Sequence, residues 1–443
     1  MTQTLTTRRT FLGASGAAAA TLAGLPVGWS PGWTERLSET IAAAQFAEPE
    51  EVARDETFWR GVRQAFALEP GLVNLNHGYS PSPGSVLDVL DRAVRRTNRA
   101  PLHFGHWPED GPEPAREAVR RRAAALLGCE PEELALTRSA TEALQIVQLG
   151  LVLRPADEVL STSEDYWAMW NTWQQRVQRD GIIHTELRLA GPHPAPGEVV
   201  DLIKGAIKPR TRVLLISHVT WLTGHLLPLA DICRAAREKG VLTIVDGAHG
   251  PGHVPVDVRA IGCDFYGASG HKWLMGPLGT GFLYARRELI KDVWPLTPAW
   301  GPRDDIRKFE WVGGQSTAPV LALAQALTFH EQLGTARKAA RFRFLRRRWV
   351  DRLAAHPRIR LLTTADADRA CGVGAFAVDG IEPVVLVRHL RERHRVLVRP
   401  FGATDYDGPP GVRVAPNVFN AAAEVDQFAQ AVEEVLRSGL RSG

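Results

Sequence analysis

Residues 241–252 read VLTIVDGAHGPG. An apolar, β-branched run leads to Asp246 and is closed by Gly247, Ala248 and His249. Such a run reads as a buried strand, and open α/β sheets place ligand-contacting groups just beyond the carboxyl ends of their strands. A carboxylate buried there needs a cationic or hydrogen-bonding partner; a helix cap or a structural turn would also suit an aspartate. Further along, residues 267–284 read GASGHKWLMGPLGTGFLY. Among seven lysines, set against 46 arginines, Lys272 alone has no charged residue other than a histidine within seven positions on either side. A lysine in a desolvated pocket has a lowered pKa and can form a Schiff base. A lysine snorkelling out of a buried loop would present the same pattern. A third stretch, LTRSATEAL at 136–144, joins a strand to an amphipathic helix. Ser139 with Glu142 predicts a capping box, and the free N–H groups of such a helix start attract anions.

Outward from these stretches the pattern alternates. Strands are expected at Leu134–Thr137, Glu158–Thr162, Val213–Val219, Leu242–Asp246, Phe265–Ala268 and Gly281–Ala285. Helices are expected at Glu113–Leu127, Thr141–Leu153, Trp167–Arg179, Val199–Ala206 and Leu229–Lys239. Interleaved strands and helices predict an α/β fold with a mostly parallel, mixed central sheet flanked by helices. Beyond residue 319 the pattern changes to long helices (Val320–Gln332, Ala336–Ala355), strands at Gly374–Val378, Val396–Arg399 and Val412–Val414, and a closing helix, Ala423–Leu436. That predicts a smaller α+β C-terminal domain. The expected divisions are a signal and linker at 1–47, an arm at 48–75 packing with the small domain, a large domain at 76–318 and the small domain at 319–443.

Composition narrows the functional classes. A chain of 443 residues, 44% hydrophobic and 23% charged, can bury a large core. A net charge of +4 at this length gives little electrostatic support for nucleic-acid binding. Cys129, Cys233, Cys263 and Cys371 are far apart and form no CxxC pair, so no metal site and no disulfide framework is expected. At the N-terminus, Arg8 and Arg9 precede Phe11-Leu12 and an Ala/Gly-rich apolar run to about Val27. This looks like a twin-arginine export signal, too short to be a stable membrane span. The expected location is therefore periplasmic or extracellular in a bacterium, or cytoplasmic if the signal does not function. No later segment reaches 18 apolar residues in a row, so the mature chain is expected to lack a membrane span.

The order ATE, DGAH, SGHK resembles the class V aminotransferases, pyridoxal-phosphate enzymes of fold type I. The likeness runs from the Asn74–Gly78 segment NLNHG to the 412–420 segment VRVAPNVFN. Within the class, DGAHGPGHVPVDVRAIGCDFYGASGHKWLMGP and SHVTWLTGHLLPL look most like the isopenicillin N epimerase-like branch. The resemblance implies that Lys272 forms an aldimine with pyridoxal 5'-phosphate and then takes the substrate Cα proton. It implies that Asp246 pairs with the pyridinium nitrogen, and that Ser139, Ala140, Thr141, Ser269 and His271 bind the phosphate. Tyr166 would stack on the ring, Ala248 would pack its other face, and His249 would reach the ring hydroxyl. Arg413 would clamp the substrate carboxylate, with Asn76 and His77 beside the substrate. A homodimer with sites at the interface and an amino-acid substrate are also implied.

Departures from the family pattern are informative. Desulfurases carry a nucleophilic cysteine after the strand corresponding to Val396–Arg399, where this chain reads Phe401-Gly402-Ala403. Their paired asparagines are replaced by Thr220-Trp221, leaving His249 as the candidate for the ring hydroxyl. Gly313-Gly314 stands where the family has Gly-Thr, with Ser316 or Thr317 as possible substitutes. Trp167, Trp170 and Trp173, three apart, suit either a substrate pocket or simple core packing. The expected function is Cα chemistry on an amino acid, of aminotransferase or epimerase type. Epimerisation needs a second acid/base, for which Tyr166 and His77 are candidates. The alternatives are β-elimination of the carbon–sulfur lyase type, or a non-catalytic exported protein that keeps the fold. A nicotinamide enzyme is disfavoured because no G-x-G-x-x-G follows a strand.

Overall fold

Buried β-branched strands between amphipathic helices assemble around one sheet whose strand ends carry the polar groups. The computed structural model describes residues 38–42, 44, 46–101, 113–189, 195–364, 366–402 and 408–439; the signal motif and Ala403 lie outside them. In chain order come α1 (Glu56–Arg63), β1 (Val73–Asn74), α2 (Gly84–Arg99), α3 (Glu113–Leu127), β2 (Leu134–Thr137), α4 (Ala140–Gly150), β3 (Glu158–Thr162) and α5 (Trp167–Asp180). Next are β4 (Ile183–Leu187), α6 (Pro196–Ala206), β5 (Thr211–Ser217), α7 (Leu229–Glu238), β6 (Leu242–Asp246), β7 (Phe265–Ser269) and β8 (Gly281–Ala285). The chain closes with α8 (Ala318–Leu333), α9 (Thr335–Leu353), β9 (Ile359–Leu361), β10 (Gly374–Val378), α10 (Pro383–His394), β11 (Val396–Leu397), β12 (Arg399–Phe401), β13 (Gly411–Val414) and α11 (Ala422–Ser438).

The seven-stranded sheet has the order β2-β8-β7-β6-β5-β3-β4. β8 runs antiparallel to both its neighbours, β7 and β2, and the other pairings of the sheet are parallel. The expected mixed, mostly parallel sheet is therefore present. Its two faces are covered by separate apolar clusters, one around Leu214, Ile216, Val245 and Phe282, the other around Val213, Leu215, Ile244 and Phe265. Alternation along β5 feeds both, as the two-residue period of a strand requires. The C-terminal strands form an antiparallel sheet of order β12-β13-β10-β9, and β1 from the arm pairs in parallel with β11. Among the described residues, no helix is long and apolar enough to cross a membrane.

One corner rests on buried charge. Arg120 of α3 has a fully buried side chain and bonds Leu134 O, Glu117 and Glu310. Glu310, with a side chain 7% exposed, also accepts from Arg116 and from the Leu136 N–H of β2. Removing one partner of a buried ion network leaves an uncompensated charge, typically costing about 3–5 kcal/mol. Glu310→Ala is expected to lower stability by about that amount, seen as a lower urea midpoint at unchanged m-value.

Candidate active site

Three strand ends and one helix start converge on a cavity of about 270 Å³. Asp246 ends β6, paired across to Ser217 of β5 and Gly267 of β7. Its Oδ1 accepts from the Ala248 N–H at 2.9 Å, and burial raises its pKa against the opposing pull of Lys272. The turn behind it depends on glycine: a Cβ on Gly247 would lie 2.0 Å from Tyr266 Cε1. Tyr266 is itself held by His218 Nδ1 at 2.8 Å from its hydroxyl. Beneath lies a second buried acid that the sequence reading did not single out. Asp165 accepts from Ser217 Oγ (2.7 Å) and from the Thr162 N–H and hydroxyl (2.7 and 3.0 Å), and burial pushes it up to about 7.

Ser269 ends β7, and the loop after it carries His271 and Lys272. Burial pulls the Lys272 amine down to about 8, helped by Arg413 and opposed by Asp246. Its Nζ lies 3.4 Å from His249 Nε2. The hairpin into β8 returns the chain toward β2, so the β2–α4 turn sits beside this loop. The contact is direct: the Ala140 N–H donates to Ser269 Oγ at 2.9 Å.

Ser139 caps α4, its Oγ accepting from the Glu142 N–H at 3.1 Å. The expected capping box is only half formed, because Glu142 accepts from the Arg138 N–H (2.6 Å) and the Arg138 guanidinium instead of the Ser139 N–H. With the Ala140 and Glu142 N–H groups taken, the helix start still offers the Thr141 N–H and a positive dipole end. His271 is held differently from a simple phosphate donor. Its Nδ1 faces the Thr280 carbonyl at 3.0 Å and must donate to it. Burial lowers its pKa to about 4; the neutral ring therefore presents an accepting Nε2 to the cavity and donates to an anion only as imidazolium.

Tyr166, Ala248, His249, Ser139, Ala140, Thr141, Ser269, His271, Lys272, Asp246, Asn76 and Arg413 all line this one cavity. Arg413 of β13 is buried; its Nη2 donates to Asn76 Oδ1 (2.7 Å) and its Nη1 to Trp221 O (3.1 Å). A Cβ on Gly78 would lie 2.8 Å from that Nη2. His77 is a correction to the expected set. Its Nε2 faces Asn74 O at 2.9 Å, its ring packs edge-on against Phe419, and it does not line the cavity. Backbone pairing drives this: the His77 N–H donates to Ala415 O, and alternation turns its side chain away from the face that Asn76 presents.

Other lining residues escaped the sequence reading. Arg399 of β12 lies over the Trp221 ring at 4.7 Å, Trp221 meets Tyr166 edge-on at 5.1 Å, and Tyr79 stacks on His271 at 5.5 Å. In an arginine-rich chain a further arginine carries no signal, except that Arg399 ends the apolar run VLV just before a proline. The tryptophan trio is not a pocket wall: Trp173 is fully buried in the core, and Trp167 and Trp170 are 48% and 39% exposed. None of the four cysteines lines the cavity, and the Cys371 thiol donates to Gly224 O at 3.4 Å.

Comparison with known proteins follows the same lines. The family model for aminotransferase class-V matches residues 72–428. An isopenicillin N epimerase of Amycolatopsis lactamdurans is 32% identical over 404 residues, covering 86% of this chain and 99% of that one. The isopenicillin N epimerase of Streptomyces clavuligerus is 31% identical over 396 residues, covering 85% and 98%. Among solved structures, the cysteine desulfurase CsdA (S-sulfonic acid) from Escherichia coli superposes with a TM-score of 0.72 at 25% identity, covering 85% of this chain and 98% of that one. With the family match spanning most of the chain and the lysine, carboxylate and helix start gathered in one cavity, the chain belongs to the aminotransferase class-V family of pyridoxal-phosphate-dependent enzymes.

Proposed function

We propose that this chain removes the Cα proton of an amino acid with the Lys272 amine as base, and that the outcome is epimerisation, with Tyr166, the remaining candidate that lines the cavity, returning a proton to the opposite face. One observation carries the reading. An amine brought down to about 8 by burial shares a cavity with a buried strand-end carboxylate and a helix N-terminus. The cavity suits pyridoxal phosphate in its donor set. Ser139, Ala140, Thr141 and Ser269 would hold the phosphate, with His271 joining as imidazolium. Asp246 needs a cationic partner in its buried position, and a protonated ring nitrogen is such a partner. Tyr166 and Ala248 would take the ring faces and His249 the ring oxygen. When bound, pyridoxal phosphate supplies an electron sink that stabilises negative charge at Cα.

The residues of the chain then divide the work. Arg413, already oriented by Asn76 and the Trp221 carbonyl, offers a planar fork to a carboxylate. Lys272 is close enough to neutrality at pH 7–8 to accept a proton, the condition for an efficient general base. Epimerisation is favoured over sulfur transfer because no thiol reaches the cavity. In deuterium oxide, one amino acid of a panel is expected to gain deuterium at Cα and to appear in both configurations. Release of a keto acid would point to transamination, and pyruvate with ammonia to elimination. A panel without any Cα exchange would count against the whole reading.

The amine also sets a pH dependence. Attack on an aldehyde needs the neutral lysine, whose fraction grows as pH rises through its pKa. Capture of pyridoxal phosphate by the cofactor-free chain is expected to rise to a plateau with a midpoint near pH 8, not near the ordinary lysine value of about 10.4. Borohydride should then fix the cofactor on Lys272, read by peptide mass.

The proposal extends to a homodimer exported by the twin-arginine route. Arg8-Arg9 and the apolar run after them support export. The homodimer rests on the family relation. Cell fractionation and sedimentation test the two points separately.

A further inference from the structure

Residues behind the cavity decide where His249 carries its proton. Trp273 directly follows Lys272 and is fully buried. Its indole Nε1–H, which can only donate, lies 2.9 Å from His249 Nδ1. An imidazole nitrogen that accepts carries no hydrogen, so neutral His249 is protonated at Nε2, the atom 3.4 Å from Lys272 Nζ.

The Trp273 backbone is held by one group and its indole by two others. Lys338 of α9, fully buried, donates from Nζ to Trp273 O at 2.7 Å and lies 3.3 Å from His330 Nδ1. His253 stacks on the indole with centroids 3.9 Å apart, and Phe342 meets it edge-on at 5.0 Å. His253 has a determined proton of its own. Its Nε2 accepts from the Gly372 N–H at 2.7 Å, so its Nδ1–H donates to His249 O at 3.0 Å. The ionisable groups facing the His249–Lys272 pair are Asp246, Arg413 and His253. Burial first, then the charges of Lys272 and Arg413, hold His249 neutral.

We propose that Trp273 is a positioning residue that locks His249 in its Nε2–H form, so that His249 offers Lys272 a donor and never an acceptor. An ammonium on Lys272 finds no partner in such a ring, whereas a neutral amine accepts from it through its lone pair. The lock therefore selects the nucleophilic form of the lysine. The use of that form rests on the functional reading above; the proton position does not.

Imidazole nitrogen correlation spectra of the full-length chain test the tautomer, with the His249 signals identified by their loss in His249→Asn. The wild-type chain is expected to show Nε2–H, and Trp273→Phe, which keeps the ring and deletes the donor, is expected to populate Nδ1–H. Wild-type Nδ1–H, or an unchanged tautomer in Trp273→Phe, overturns the proposal. A second measurement follows pyridoxal phosphate capture against pH. Trp273→Phe frees Nε2 to accept from the ammonium, so the midpoint should rise by about one unit and capture at pH 7 should slow about tenfold. In the His249→Asn background the same substitution should add nothing. An equal shift in that background would mark the indole as packing alone and sink the proposal. A wild-type chain that captures no pyridoxal phosphate would defeat the functional reading, while the spectra would still decide the tautomer.

Discussion

Lys272→Ala is expected to lower turnover at least about 10³-fold and to abolish the borohydride-fixed adduct. A positioned general base alone contributes about 10²–10⁴ in rate, and in the proposed function the same amine is also the attachment point. Mixing the variant with cofactor and substrate measures both losses. The loss should not be a folding defect. Among the described residues Lys272 pairs with no carboxylate by a direct hydrogen bond; its contact is His249 at 3.4 Å. Burial makes its charge costly, and a base with a lowered folded pKa opposes folding at pH values below its unfolded one. Thermal unfolding of Lys272→Ala near pH 7 should therefore match or exceed the wild-type midpoint. A variant that keeps a tenth of the wild-type turnover would remove Lys272 from the chemistry.

Asp246→Asn is expected to lower turnover about 10²–10³-fold, the range found when one preorganised electrostatic partner is removed. The substitution is nearly isosteric, but an amide cannot stabilise a proton on a ring nitrogen as a carboxylate does. Stability should move the other way. Burial raises the Asp246 pKa in the folded state, and an acid raised on folding destabilises the fold at all pH values above its unfolded pKa. Replacing it with a neutral side chain relieves that cost, so the apparent midpoint at pH 7 should hold or rise while activity collapses. Asp246→Ala should behave similarly in activity, and its small cavity should cost it the stability gain. If Asp246→Asn lost stability and activity together, the carboxylate would have to be read as structural.

What was legible in the sequence follows physical lines. Strands β2, β3, β6 and β8 are short apolar runs buried on both faces, and each occupies its expected span. Strand β4 was missed: it sits at the sheet edge, reads IHTEL, and keeps only Leu187 buried, so it lacks the continuous apolar signal. Helix α10 was given no expected element: it begins PVVLV, a β-branched run that lacks a helical signal. The site shows the same division. Asp246 and Lys272 stand out because an ionisable group in an apolar frame is conspicuous. Arg399 and Trp273 do not, since an arginine is commonplace here and a tryptophan beside glycines resembles core. Their roles arise from partners 178 and 24 positions away, Trp221 and His249, which no local pattern encodes. His77 failed for the converse reason, because its neighbour Asn76 faces the cavity while backbone pairing turns the histidine elsewhere.

The cavity is built by two sheets with different tasks. Asp246, Ser269 and Lys272 hang from the seven-stranded sheet, whereas Arg399 and Arg413 arrive on β12 and β13 of the other. Under the proposed roles, the proton-handling groups and the substrate-facing arginines sit on separate pieces of architecture. Changes at Arg399 would retune which molecules enter, whereas changes at Arg413 would also move the Lys272 pKa that it helps lower. On that reading, a change of substrate that keeps the chemistry would run through Arg399 and its neighbours and leave Arg413 in place.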